Sequence, residues 1–95
     1  MFSILGSHRY AKALKRLQRS GKLTAGIRKD LEDVFDMLAR EERLPAAFED
    51  HQLQGEFKKY RECHIRGDLL LMYEKRDAQQ LVIIVDIGSH SQLFG

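Results

Sequence analysis

A chain of 95 residues, 43% hydrophobic and 32% charged, has the length of one domain (1–95) and the composition of a folded protein rather than a disordered one. A disulfide scaffold is excluded because Cys63 has no second cysteine to pair with, and no stretch approaches the roughly 20 apolar residues of a membrane helix, so the expectation is a soluble, cytoplasmic chain. The net charge of +2 conceals a segregation: residues 1–29 carry eight basic residues and no acid, while the rest carry eight basic and fourteen acidic, which implies an anionic partner (RNA, DNA or an acidic protein) for the basic end.

In chain order, Phe2–Leu5 reads as a first strand. From Ser7 the pattern becomes helical, with Tyr10, Leu14 and Leu17 as the apolar stripe, Ala13 beside it, and Lys12, Lys15, Arg16 and Arg19 on the opposite side. Gly21 is suited to stop that helix, because glycine accepts the left-handed conformation of a C-cap. A second helix is predicted from Thr24, its N-cap, to about Arg43, burying Ile27, Leu31, Val34, Phe35 and Leu38. Leu44-Pro45 should end it, since a residue before proline avoids helical geometry. The period then changes to two. Tyr60–Ile65, Leu69–Tyr73 and Leu81–Ile87 read as strands, the last two joined by a polar turn, Glu74 to Gln80. Strand, two helices and then three mostly antiparallel strands make an α+β layer, with both helices on one sheet face and the other face partly open to a substrate.

Three of the four histidines, His51, His64 and His90, lie in the C-terminal half, and Glu62 and Asp68 flank His64. Histidine both takes and gives protons near neutral pH. Cleavage of RNA by its own 2′-hydroxyl needs a base for that hydroxyl, cations for the phosphorane and an acid for the departing 5′-oxygen. A zinc site fails on form, with one cysteine, no ligand pair at helical spacing and no second cysteine pair; no metal or cofactor is expected. A three-residue turn, Ile65-Arg66-Gly67, would pair His64 with Asp68 and bring them to one face. Each residue also has a plainer reading: His64 as a half-buried strand residue, His51 and His90 as shapers of loops, and Phe94 as a terminal residue docked on the core.

The segments Leu44-Pro45, Asp50-His51-Gln52-Leu53-Gln54-Gly55, Tyr60-Arg61-Glu62-Cys63-His64-Ile65, Asp68-Leu69-Leu70-Leu71-Met72-Tyr73 and Gly88-Ser89-His90-Ser91-Gln92-Leu93-Phe94 resemble, in order and spacing, the YafQ branch of the RelE-like ribosome-dependent mRNA interferases. The resemblance implies a RelE-like fold and an active site at His51, His64, Asp68, His90 and Phe94, with Glu62 where the family commonly has Asp. His64 and Asp68, helped by His51, would activate the 2′-hydroxyl, His90 would be the general acid, and Phe94 would stack on a base. Many relatives carry an arginine where this chain has Asp86, and Arg61, Lys58 and Lys59 are the cations available to hold phosphate instead. The basic face of Lys12, Lys15, Arg16 and Arg19 would meet ribosomal RNA. The implied partners are the ribosome with its mRNA and a cognate antitoxin, with promoter DNA reached only through the antitoxin complex. Two other classes stay open: a ParE-like toxin that inhibits DNA gyrase without chemistry, and a catalytically impaired module that only binds RNA or protein.

Overall fold

In the computed structural model, which describes residues 1–95, Ser7 opens the first helix: its Oγ accepts the Tyr10 backbone N–H at 3.0 Å. Helix α1 (His8–Arg19) follows strand β1 (Ser3–Gly6) and stops where expected. The Lys22 N–H reaches the Leu17 carbonyl and the Gly21 N–H reaches that of Gln18, both at 3.1 Å, with Gly21 at φ +74°. This crossed pair of bonds is the Schellman ending that a left-handed residue permits. Thr24 caps α2 (Ala25–Ala39) through the Ile27 N–H at 3.2 Å.

Helix α2 is shorter than the sequence pattern suggested. It ends at Ala39 and not at Leu44-Pro45, because Glu41 takes the left-handed conformation at φ +59° and the Glu42 N–H bonds to the Met37 carbonyl at 2.9 Å. The Ala39 carbonyl then accepts the Phe2 N–H at 2.8 Å, which ties the helix end to the start of β1. A glutamate in this conformation is uncommon, so composition gave no warning of the stop.

Five strands form one sheet in the order β1-β5-β4-β3-β2, where β2 is His51–Gln52, β3 Arg61–Arg66, β4 Leu69–Arg76 and β5 Leu81–Gly88. All neighbours are antiparallel except β1, which runs parallel to β5 with Ser3 opposite Leu81 and Gly6 opposite Ile84. The expected three-strand sheet is thus extended at both edges. The reading of Glu74–Gln80 as a turn is corrected as well: β4 continues to Arg76, pairing Glu74, Lys75 and Arg76 with Ile83, Val82 and Leu81.

Alternation along β4 divides the molecule. Leu71 and Tyr73 point to α1 and α2, joining Cys63, Ile65, Val82, Ile84 and Ile87 beneath Tyr10, Ala13, Leu31, Val34 and Leu38. Ile27, Phe35, Leu14 and Leu17 pack on this core from its margins. Cys63 is fully buried within it, and that burial, with Asp50 and Glu62 nearby, pushes its thiol pKa up to about 12. It is a packing residue rather than a nucleophile.

Leu70 and Met72 point the other way, where Leu93 of a third helix, α3 (His90–Phe94), covers them. The second sheet face is therefore partly roofed. A capping box starts α3: the Ser89 N–H donates to Gln92 Oε1 at 2.8 Å and the Gln92 N–H to Ser89 Oγ at 3.3 Å. Gly88 leaves room for the Gln92 side chain, since a Cβ there would stand 2.8 Å from the same Gln92 Oε1.

Candidate active site

Residues directly opposite one another across a sheet point to the same face. The pairings His51↔Glu62, Glu62↔Met72 and Met72↔Asp86 form one row across β2, β3, β4 and β5. His64, two residues beyond Glu62, opens the next row with Leu70 and Gly88. This is the face that α3 roofs, and between the α3 side chains and the β2–β3 end lies a cleft of about 260 Å³. His51, Leu53, Gln54, Phe57, Glu62, His90 and Phe94 line it.

The histidines differ in setting. His51 is exposed, and its Nδ1 lies 2.8 Å from the Glu49 carbonyl oxygen. A carbonyl only accepts, so Nδ1 carries the proton, and in the neutral ring the lone pair is on Nε2. His64 is half-buried between two carboxylates, with Nε2 at 3.7 Å from Glu62 and Nδ1 at 3.5 Å from Glu49. Glu62 is 5% exposed, an acid held almost dry beside that imidazole. His90 is the first residue of α3, exposed and set in place by the capping box. Its ring centre lies 5.0 Å from that of Phe94, and Phe57 meets Phe94 edge-on at 5.1 Å. Phe94 is half-buried between these two rings.

The structure separates other residues that sequence reasoning had grouped with these. Gly67 and Asp68 form the β3–β4 turn, Arg66 pairs with Leu69, and a bulge between His64 and Arg66 sets His64 opposite Leu70. The expected His64–Asp68 pairing is thereby corrected: the turn holds two residues and the bulge absorbs the extra one. Asp68 is exposed on a second, larger cleft of about 780 Å³ between α1 and the turn, with Arg16, Lys22 and Arg66. That cleft contains no histidine, so its size does not make it the reactive one.

Arg61 is not a free cation either. Its Nη2 bonds Asp50 Oδ2 at 3.1 Å and its Nε faces the Tyr73 hydroxyl at 3.4 Å. Lys58 and Lys59 are exposed in the β2–β3 connection, Lys59 lying over the Tyr60 ring at 5.2 Å. Asp86, 4% exposed, accepts the Ile87 N–H on Oδ1 at 2.8 Å and Arg9 Nε on Oδ2 at 2.7 Å. Sequence reasoning missed Arg9, whose guanidinium is brought to this row by an acid 77 positions away. It missed Phe57 too, which only the fold sets against Phe94. Lys12, Lys15, Arg16 and Arg19 are all exposed on α1, and none forms an ion pair.

The family model described as "Bacterial toxin of type II toxin-antitoxin system, YafQ" matches residues 3–95. The mRNA interferase toxin YafQ of Escherichia coli K12 is 42% identical over 52 residues, which is 55% of this chain and 54% of that protein. The match thus spans about half the length of that curated relative. Over the whole fold, a metal-bound toxin from Helicobacter pylori superposes with a TM-score of 0.85 at 39% identity, covering 99% of this chain and 100% of the other. YafQ in the E. coli DinJ–YafQ complex gives 0.83 at 29% identity, with both chains fully covered. No three His, Cys, Asp or Glu side chains of this chain converge on one point. With the family match running from the first strand to the last residue, the chain belongs to the YafQ family of bacterial type II toxin–antitoxin toxins.

Proposed function

We propose that this chain is an mRNA interferase, a ribosome-dependent endoribonuclease that cuts translated mRNA by acid–base chemistry. The observation that carries the reading is the convergence of His51, His90 and Glu62 with Phe94 on one cleft, with His64 on the same sheet face. The name mRNA interferase, printed for the E. coli relative, agrees with it.

His51 Nε2, left free by the Nδ1 contact to Glu49, takes the proton of the 2′-hydroxyl, and His64, between Glu49 and Glu62 on the same sheet face, assists it. The 2′-oxygen then bonds to phosphorus, the P–O5′ bond breaks, and His90 gives its proton to the leaving 5′-oxygen. The products are a 2′,3′-cyclic phosphate and a 5′-hydroxyl. Lys58 and Lys59, which follow the cleft residue Phe57 in sequence, hold the phosphate charge, and the Phe94 ring stacks on a base. Proton-transfer groups of this kind each supply about 10²–10⁴-fold. Asp68, which lines the other cleft, is given no role in this step.

The partners proposed are a cognate antitoxin, as DinJ is for E. coli YafQ, and the ribosome, met by the basic face of α1. Promoter DNA is reached only through the antitoxin complex. Expressed alone in cells, the parental chain should truncate mRNA before growth stops. Growth arrest with intact mRNA would instead mark a gyrase-type poison and overturn the reading.

The basic face has its own test. Replacing Lys12, Lys15, Arg16 and Arg19 with glutamine should weaken ribosome binding and flatten its salt dependence, with up to about four fewer counterions released. Melting should shift little, since exposed unpaired charges contribute little to stability. An unchanged salt slope would show that this face does not touch RNA.

A further inference from the structure

Strand β2 is two residues long and lies at the sheet edge, with only His51↔Glu62 and Gln52↔Arg61 pairing it to β3. So short an edge strand does not hold its own register. On its C-terminal side Gln52 Nε2 bonds the Tyr60 carbonyl at 3.1 Å and that of Lys58 as well. On its N-terminal side Glu49 is in the left-handed conformation at φ +48°, and no apolar side chain anchors the chain between Glu49 and Gln52. What holds it there is Asp50.

The Asp50 carboxylate turns inward. Its Oδ1 accepts the Tyr73 hydroxyl at 2.5 Å and its Oδ2 accepts Arg61 Nη2 at 3.1 Å. Tyr73 and Arg61 are themselves cross-strand partners on β4 and β3, and Tyr73 is 1% exposed in the centre of the core. Burial first, and Asp50 second, push the Tyr73 hydroxyl above the ordinary tyrosine range, so it stays a proton donor to this carboxylate. A half-buried charge pair beneath an exposed loop is poor value as packing. Phenylalanine would fill the same volume as Tyr73, so the core does not need the hydroxyl for its packing. What the pair does supply is a fixed location for the residue next in sequence, His51, whose Nδ1 contact to the Glu49 carbonyl spans the backbone of Asp50 itself.

We infer that Tyr73, Arg61 and Asp50 form a positioning set that locks His51 in one tautomer and orientation, with Nε2 aimed into the cleft. None of the three needs to touch RNA. The inference rests on the proposed role of His51 as the base, and it removes Arg61 from the list of phosphate-binding cations.

The test uses Tyr73→Phe, which deletes one hydroxyl, with Asp50→Asn as the second variant. Tyr73→Phe should melt close to the parent and lower kcat for mRNA cleavage on ribosomes roughly 10- to 100-fold, leaving KM unchanged. In a His51→Gln background the same substitution should change the rate by less than about twofold, because the residue it positions is gone. Long-range proton–nitrogen spectra of the imidazoles read the geometry without reference to activity. In the parent, His51 should show a protonated Nδ1 and a bare Nε2; in both variants the two nitrogens should move toward a tautomeric average, with His8 and His90 unchanged. A His51 spectrum identical in the parent and both variants overturns the inference, as does an equal rate loss with and without the His51 imidazole. If His51→Gln alone cleaves at the parental rate, the assignment of the base fails, and the spectra still decide whether Asp50 and Tyr73 hold the ring.

Discussion

His90→Gln leaves the chain folded and able to bind ribosomes and antitoxin but lowers mRNA cleavage by roughly 10²-fold or more. The His90 ring makes no hydrogen bond and lies against Phe94, so neither the sheet nor α3 depends on its nitrogens. Glutamine keeps the length and polarity of the side chain but cannot deliver a proton near neutral pH. Cells expressing the variant without antitoxin should keep growing. His8→Gln, an exposed residue of α1 outside the cleft, should remain fully toxic. Cleavage by His90→Gln at the parental rate would assign the acid elsewhere, and loss of folding would make His90 a structural residue.

Leu71→Ala should be the most damaging single truncation of the core. Leu71 is 0% exposed at the centre of β4, opposite Cys63 on β3 and Ile87 on β5, within the cluster beneath both long helices. Removing three carbons from such a site costs about 2–5 kcal/mol, the lost transfer energy plus the cavity left behind. A domain of this size loses about 4–8 °C of melting temperature per kcal/mol, so thermal unfolding should move down by about 10 °C or more. Leu5→Ala, on the 55% exposed Leu5, should shift it by no more than a few degrees. Equal melting of Leu71→Ala and the parent would mean that Leu71 does not stand in the core.

The parts of this fold that sequence made legible are those with enough residues to show a period. The stripe of α1, the buried positions of α2 and the caps at Gly21 and Thr24 were all legible in this way. The end of α2 does not, because Glu41 stops it in a conformation usually left to glycine. Helix α3 has five residues and β2 has two, too few for any periodicity. Ser89 and Gln92 did carry a capping-box signal that a search for short helices would find. The parallel pairing of β1 with β5 joins the two ends of the chain, which no local pattern reports.

The cleft was legible as a set of residue types and not as a geometry. His51, His90, Glu62 and Phe94 share it, with His64 on the same sheet face, whereas Asp68 was lost to a single bulge that shifts register by one residue. Arg61 was read as a phosphate ligand because Asp86 stands where many relatives carry an arginine, and Arg61 was an available cation. Its partners, Asp50 and Tyr73, lie 11 and 12 positions away and became visible only when the strands paired. Arg9 stands on α1 beside a basic face that could equally have been solvated, and only Asp86 shows where its guanidinium goes.

The proposed chemistry is tested most directly by the ends it leaves on RNA. Purified protein added to ribosomes translating a defined mRNA should yield fragments with a 2′,3′-cyclic phosphate on one side of each cut and a 5′-hydroxyl on the other. Those are the ends required when the 2′-oxygen is the nucleophile and His90 protonates the 5′-oxygen. Fragments bearing a 5′-phosphate and a 3′-hydroxyl would show that water attacks instead, and intact mRNA would show that the chain does not cut; either result contradicts the account.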